Sequence, residues 1–199
     1  MLAVQREPRL YRAFVGTGQM VSPLATDTVY YRDTLTWAKE TGNTGLVDTL
    51  TRIGPPPYPR VRDYEATLSH EYEVYPYDHT GNSEGSGGMT ENMFVEEYTL
   101  LDSAHVLAGF LDTFPVLYPQ IQGVDLRIQA TRLDVPVYLA QGGHETPGRA
   151  GPAQEWFDLL QAPRKELVVL DSSGHRPLWE QPDEFTELMT GTVLPQNTP

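Results

Sequence analysis

The sequence predicts an α/β protein, with parallel strands and flanking helices interrupted by a long, mostly helical insertion. Two short apolar runs, Val135–Leu139 and Leu167–Leu170, are each bounded by Gly, Pro or charge. Such runs suit strands buried on both faces of a parallel sheet. Between them Ala153–Gln161 (AQEWFDLLQ) carries apolar residues at helical spacing, with Trp156, Phe157, Leu159 and Leu160 on or near one face. That is a strand–helix–strand unit. The third observation is a change of texture from Pro23 to about Arg132, where helical patterns replace strand-like ones.

Taken in order, Leu2–Tyr11 reads as the end of an amphipathic helix that Pro8 should interrupt. Arg12–Val21 (RAFVGTGQMV) reads as a strand turning into a Gly loop. Gly16 and Gly18 lack the third glycine and following helix of a dinucleotide fingerprint, so no cofactor is expected there. Asp27–Thr41 is helical, with Val29, Tyr30, Leu35 and Trp37 available to pack, and Asn43–Arg52 is a shorter helix that stops at Gly54 and three prolines. Tyr64–Tyr72 suits a third helix, and Tyr75–Gly88 a polar, Gly-rich loop. Asn92–Phe114 has the strongest helical pattern in the chain, with Leu100, Ala104, Leu107, Ala108 and Leu111 at steps of three and four. Gly123–Leu133 leads back to the sheet, Asp183–Met189 makes a closing helix, and Leu194–Pro199 is a tail.

The composition is that of a globular chain: 199 residues, 39% hydrophobic and 21% charged. A net charge of −13 argues against a nucleic-acid groove or a polybasic membrane contact. The absence of cysteine excludes disulfides, thiolate catalysis and zinc–sulfur sites. Charges interrupt the N-terminal stretch where a signal peptide needs an apolar run, and no stretch is read as approaching membrane-spanning length. A soluble, cytoplasmic protein is the expectation.

Two side chains stand out for chemistry. His175 follows Asp171-Ser172-Ser173-Gly174, a tight turn just past the second strand, and Glu145 lies in Gly142-Gly143-His144-Glu145, just past the first. In open parallel sheets, ligands and chemistry gather beyond the carboxyl ends of the strands. A base and the acid that orients it, on adjacent strand ends, form two thirds of a nucleophile–His–acid machine. Asp171 is the rival acid, and His144 reads as a bystander. His70, His79 and His105 show no ligand spacing, so no metal is expected. The bland alternatives are a solvated histidine and an unrelated surface carboxylate.

The segments AFVGTGQMVSP, RIGPPPY, LDVPVYLAQGGHE and KELVVLDSSGHRPLWEQPDEF resemble the α/β-hydrolase family, and within it the branch related to proline iminopeptidases. The resemblance implies a partial α/β-hydrolase core over residues 1–22 and 133–199, carrying a helical cap over 23–132. It implies acyl transfer of the serine-hydrolase type on a peptide, amide or ester, with His175 as general base and Glu145 as orienting acid where the family usually has Asp. No cofactor is implied. The family's nucleophile sits in a G-x-S-x-G turn between a strand and a helix, upstream of acid and histidine. This chain begins within the helix expected to follow that turn, so by itself it is expected to be inactive. Gly81-Asn82-Ser83-Glu84-Gly85 matches the motif literally, but YEVYPYDHT before it is no buried strand and Ser86-Gly87-Gly88 after it no helix. Ser83 is therefore read as part of a cap loop. Either the chain is a truncated copy, or a complementary N-terminal chain or a second copy covers the strand at Ala13–Val15. The alternative is a non-catalytic module in which cap aromatics (Tyr30, Tyr31, Trp37, Phe94, Tyr98, Phe110, Phe114, Tyr118) hold a small apolar ligand or a protein.

Overall fold

The computed structural model describes residues 1–77 and 95–197. Ser83 and its G-x-S-x-G match lie outside these residues, as does His79. The described chain forms two compact units, one from residues 1–22 and 125–197, the other from 23–77 and 95–124.

The first unit is built on a three-stranded parallel sheet, β1 (Phe14–Thr17), β2 (Val137–Gly142) and β3 (Lys165–Leu170), in the spatial order β1-β2-β3. Phe14 pairs with Val137 and Val137 with Lys165, so the three strands run level. Central β2 is apolar on both faces and almost wholly buried, as its pattern predicted. Tyr138 and Ala140 point into one core, where Leu188 and Val193 join them against Ala13, Val15, Val168 and Phe185. Val137 and Leu139 alternate onto the other face and are equally buried. β3 departs from the expectation of burial on both faces: Leu167 and Val168 are half-buried and Val169 is exposed. Among the described residues it pairs only with β2, so it has the partial cover of an edge strand.

The N-terminal segment breaks as Pro8 requires, into α1 (Leu2–Arg6) and a 3-10 turn over Pro8–Leu10. Between β2 and β3 runs α8 (Pro147–Leu159), which starts earlier than its apolar spacing suggested because Pro147 fits the first turn of a helix. Trp156 and Leu160 are buried, whereas Leu159 is exposed. The Trp156 indole donates to the Ala130 carbonyl at 2.8 Å, which fixes α8 to the short helix α7 (Leu126–Gln129). Residues 194–197 are not a loose tail. After α9 (Pro177–Glu180) and α10 (Pro182–Glu187) the chain passes through a π-helical stretch, Leu188–Val193, into α11 (Leu194–Asn197). The Tyr138 hydroxyl donates to Gln196 Oε1 at 2.8 Å, tying this last turn to β2.

The second unit is helical: α2 (Pro23–Glu40), α3 (Thr44–Ile53), α4 (Val61–Leu68), α5 (Glu71–Val74) and α6 (Leu100–Ile121). The Asn43 side chain caps α3 by accepting from the Leu46 N–H, and Gly54, at φ +79°, ends it. The buried face of α2 is partly polar, with Thr26, Asp27, Tyr30, Thr34 and Ala38, whereas Val29, Leu35 and Trp37 are only half-buried. The expected third helix is two short ones, α4 and α5.

Two expectations for α6 need correction. It begins at Leu100 because Thr99 and Asp102 form a reciprocal capping box, and it continues through Pro115 and Pro119 to Ile121. The stripe Leu100, Ala104, Leu107, Ala108 and Leu111 is exposed, and the inward face is Ser103, Phe110, Phe114 and Tyr118. Rings decide this: Phe114 stacks on Tyr118 at 4.8 Å between centroids, and Tyr64 lies 5.2 Å from Phe114. The Tyr118 hydroxyl also donates to the buried Asp27 carboxylate at 2.5 Å. With both prolines inside it, α6 is long and apolar enough to cross a membrane by length and composition, contrary to the sequence reading.

Candidate active site

β2 ends in Gly142-Gly143 and β3 in the turn Asp171-Ser172-Ser173-Gly174, and the two ends interlock. A Cβ on Gly142 would overlap the carbonyl oxygens of Ser173 and Gly174, and one on Gly143 would meet the Asp171 carbonyl oxygen at 2.9 Å. The parallel pairing carries on past the strands: the Gly143 N–H donates to Leu170 O at 2.8 Å and the His144 N–H to Ser173 O at 2.9 Å. Glycine is needed at both positions so that one backbone can lie against the other. This junction brings the loop bearing Glu145 to the loop bearing His175.

The two side chains meet. His175 Nδ1 lies 2.7 Å from Glu145 Oε2, the Glu145 side chain being 2% exposed and the imidazole 42%. An ionised carboxylate only accepts, so Nδ1 carries the proton and donates it. In the neutral imidazole Nε2 is then the lone-pair nitrogen, and it has no hydrogen-bond partner among the described residues. The other oxygen of Glu145 accepts from the Thr146 N–H at 2.9 Å, and Arg149 Nη1 lies 3.5 Å away. Thr146 is the N-cap of α8, so the carboxylate also sits at the positive end of a helix. Burial, the largest single influence, pushes the Glu145 carboxyl pKa up. The His175 hydrogen bond and charge, the Arg149 guanidinium and the Thr146 N–H together outweigh it, and the group stays below the ordinary glutamate value. The acid is thus buried yet ionised, and each of its oxygens has a donor.

The rival acid, Asp171, is exposed and makes no hydrogen bond to His175, and His144 is exposed on the same turn as Glu145. Four contributors had no such role assigned from sequence. Arg149, one helical turn after Glu145, is visible only as an i,i+4 pair once α8 is known to begin at Pro147. Gly18, at φ +53°, lies against the imidazole: a Cβ there would fall 2.8 Å from its Cε1 and 2.6 Å from the His175 carbonyl oxygen. Glu180 and Gln181 bind the backbone of the histidine turn from α9 and its C-cap. The segment WEQPDEF signals all but the direction in which these side chains point.

No family model matches the sequence. The chain is 20% identical over 189 residues to the probable aminopeptidase YbaC of Bacillus subtilis (strain 168), an alignment that takes in 94% of this chain and 59% of that protein. The chain therefore spans somewhat under two thirds of the length of the curated relative it matches. Among solved structures it is similar to an alpha/beta hydrolase enzyme from the metagenome of sediments from the lagoon of Mar Chica, Morocco. That likeness has 16% identity and a TM-score of 0.37, and covers 69% of this chain and 71% of that one. The architecture itself is α/β: a small parallel sheet with flanking helices, joined to a helical unit.

Proposed function

We propose that this chain carries the base–acid pair of an α/β-hydrolase-type acyl-transfer site, with His175 as general base and Glu145 as the acid that orients it. The observation carrying the reading is the 2.7 Å contact between a buried carboxylate and the Nδ1 of an exposed imidazole. It supports the following chemistry. Nε2 takes the proton of a hydroxyl as the hydroxyl oxygen attacks a substrate carbonyl, and the imidazolium that forms is stabilised by Glu145. The same Nε2 then gives its proton to the leaving amine or alcohol, and water, activated in the same way, clears the acyl group.

Among the described residues no hydroxyl is hydrogen-bonded to His175, and the context of Ser83 does not suit a nucleophile. On this reading the nucleophile comes from outside this chain. β1 pairs on one side only among the described residues, and its open edge is where a complementary chain or a second copy would add a strand. The substrate class is a peptide, amide or ester. Similarity to a probable aminopeptidase favours the amide bond of a peptide, as does the resemblance of the sequence motifs to proline iminopeptidases.

Fluorophosphonate labelling of the purified chain, read by peptide mass spectrometry, tests where the nucleophile resides. The expected result is no adduct on any serine of this chain. A stoichiometric adduct on Ser83 would overturn the assignment of the nucleophile to another chain.

A further inference from the structure

The geometry points to Glu180 as a positioning residue for His175, acting through the backbone on either side of the imidazole. Glu180 Oε2 accepts from the Gly174 N–H at 2.7 Å, and Oε1 accepts from the Arg176 N–H at 3.0 Å. One carboxylate thus holds the amides immediately before and after His175. It is itself held in place, because the Glu180 N–H donates back to the Arg176 carbonyl at 3.0 Å. Pro177 starts α9 and Pro182 follows it, so the helix is a single turn and Glu180 projects from its last residue. Next in the chain, Gln181 Oε1 accepts from the Ser172 N–H and the Ser173 hydroxyl, each at 2.9 Å, and its amide donates to Glu184 Oε1 at 3.1 Å.

The turn needs such support because the imidazole is partly open to solvent. The burial that locks Glu145 is not available to hold His175. Charge-assisted hydrogen bonds to backbone N–H groups are about twice as strong as neutral ones, and two of them span the histidine. A carboxylate suits this pair of donors better than an amide does, since one end of a glutamine would turn its NH2 toward an N–H. Glu180 binds the backbone on either side of the ring and not the ring nitrogens. It sets the backbone from which the ring reaches Glu145.

This inference rests on the His175–Glu145 pairing proposed above, and the test separates the two. The probe is the low-field Nδ1–H resonance of His175 in the folded full chain, followed by proton–nitrogen NMR, with thermal melting recorded in parallel. Absence of that resonance in the wild type, or its survival unchanged in Glu145→Ala, overturns the pairing itself. With the pairing established, Glu180→Ala is expected to lose the resonance through solvent exchange while the chain still melts cooperatively. Glu180→Gln is expected to retain it with faster exchange, and Glu184→Ala to leave it as in the wild type. Should Glu180→Ala fail to fold, Glu180→Gln decides. Exchange unchanged from the wild type in Glu180→Gln, or a resonance unaltered in a folded Glu180→Ala, would overturn the positioning role.

Discussion

At Glu145 two opposed influences on one carboxylate can be separated by pH. Burial favours the neutral acid, and His175, Arg149 and the Thr146 N–H favour the anion and prevail. A carboxyl held below its unfolded value contributes stability that is fully present above the unfolded pKa of about 4.3 and is lost as pH falls through the folded value. Glu145→Gln is therefore expected to cost about 1–3 kcal/mol at neutral pH, discounted from a fully buried pair because the imidazole is open to water. The difference from wild type should shrink below roughly pH 4, as read from urea midpoints at the two pH values. A gap that widens on acidification would contradict the sign. Gly18 offers an independent test. Ala at that position meets the His175 ring and carbonyl and is strained at φ +53°, so Gly18→Ala should cost about 1–3 kcal/mol by overpacking. Its local signature would be displacement of His175 resonances while those of α2 stay unmoved.

At the scale of single elements, α6 shows how a helix can be legible and its buried side illegible. Steps of three and four through Leu100, Leu107 and Leu111 identified a helix, but three-four spacing occurs on several faces of so apolar a segment. The face that packs is the one whose rings meet Tyr64 and whose Tyr118 hydroxyl finds Asp27. A buried carboxylate with a donor outweighs another leucine, because leaving either partner unpaired costs about 1–3 kcal/mol. Replacing Leu100, which is 84% exposed, by Glu should therefore change stability by no more than about 0.5 kcal/mol. Half-buried Phe114→Ala should cost about 2 kcal/mol, short of the 3–5 of a fully buried ring. Denaturant midpoints of the two variants would show whether the inward face is correctly identified.

At the scale of the whole chain, charge and apolar surface pull in opposite directions. The net charge of −13 keeps copies apart, while β1 pairs on one side only among the described residues and α6 exposes Leu100, Leu101, Leu111, Val116 and Leu117. Repulsion between exposed charges is largely screened beyond about 10 Å at 0.1 M salt, and apolar contact is not weakened by salt. Self-association is thus expected to rise from low to moderate ionic strength, measured by light scattering behind size exclusion. A monomer unchanged across that range would show that neither surface acts as an interface at the concentrations used.

Much of this was present in residue order alone: the parallel strand–helix–strand unit, the central strand, and the two loop residues, Glu145 and His175, that come together at 2.7 Å. Those features depend on local pattern, on periodicity and on the rule that adjacent strand ends lie side by side, and local pattern is written along the chain. Packing decided the rest. The near-contact of Gly18 with an imidazole 157 positions away, the inward face of α6 and the clasp of Glu180 on the histidine turn are contacts between distant segments or depend on which way a short helix points. The helical C-terminus through Asn197 belongs with them, because Leu188, Val193 and Gln196 gain a reason to be helical only when Tyr138 is there to receive them.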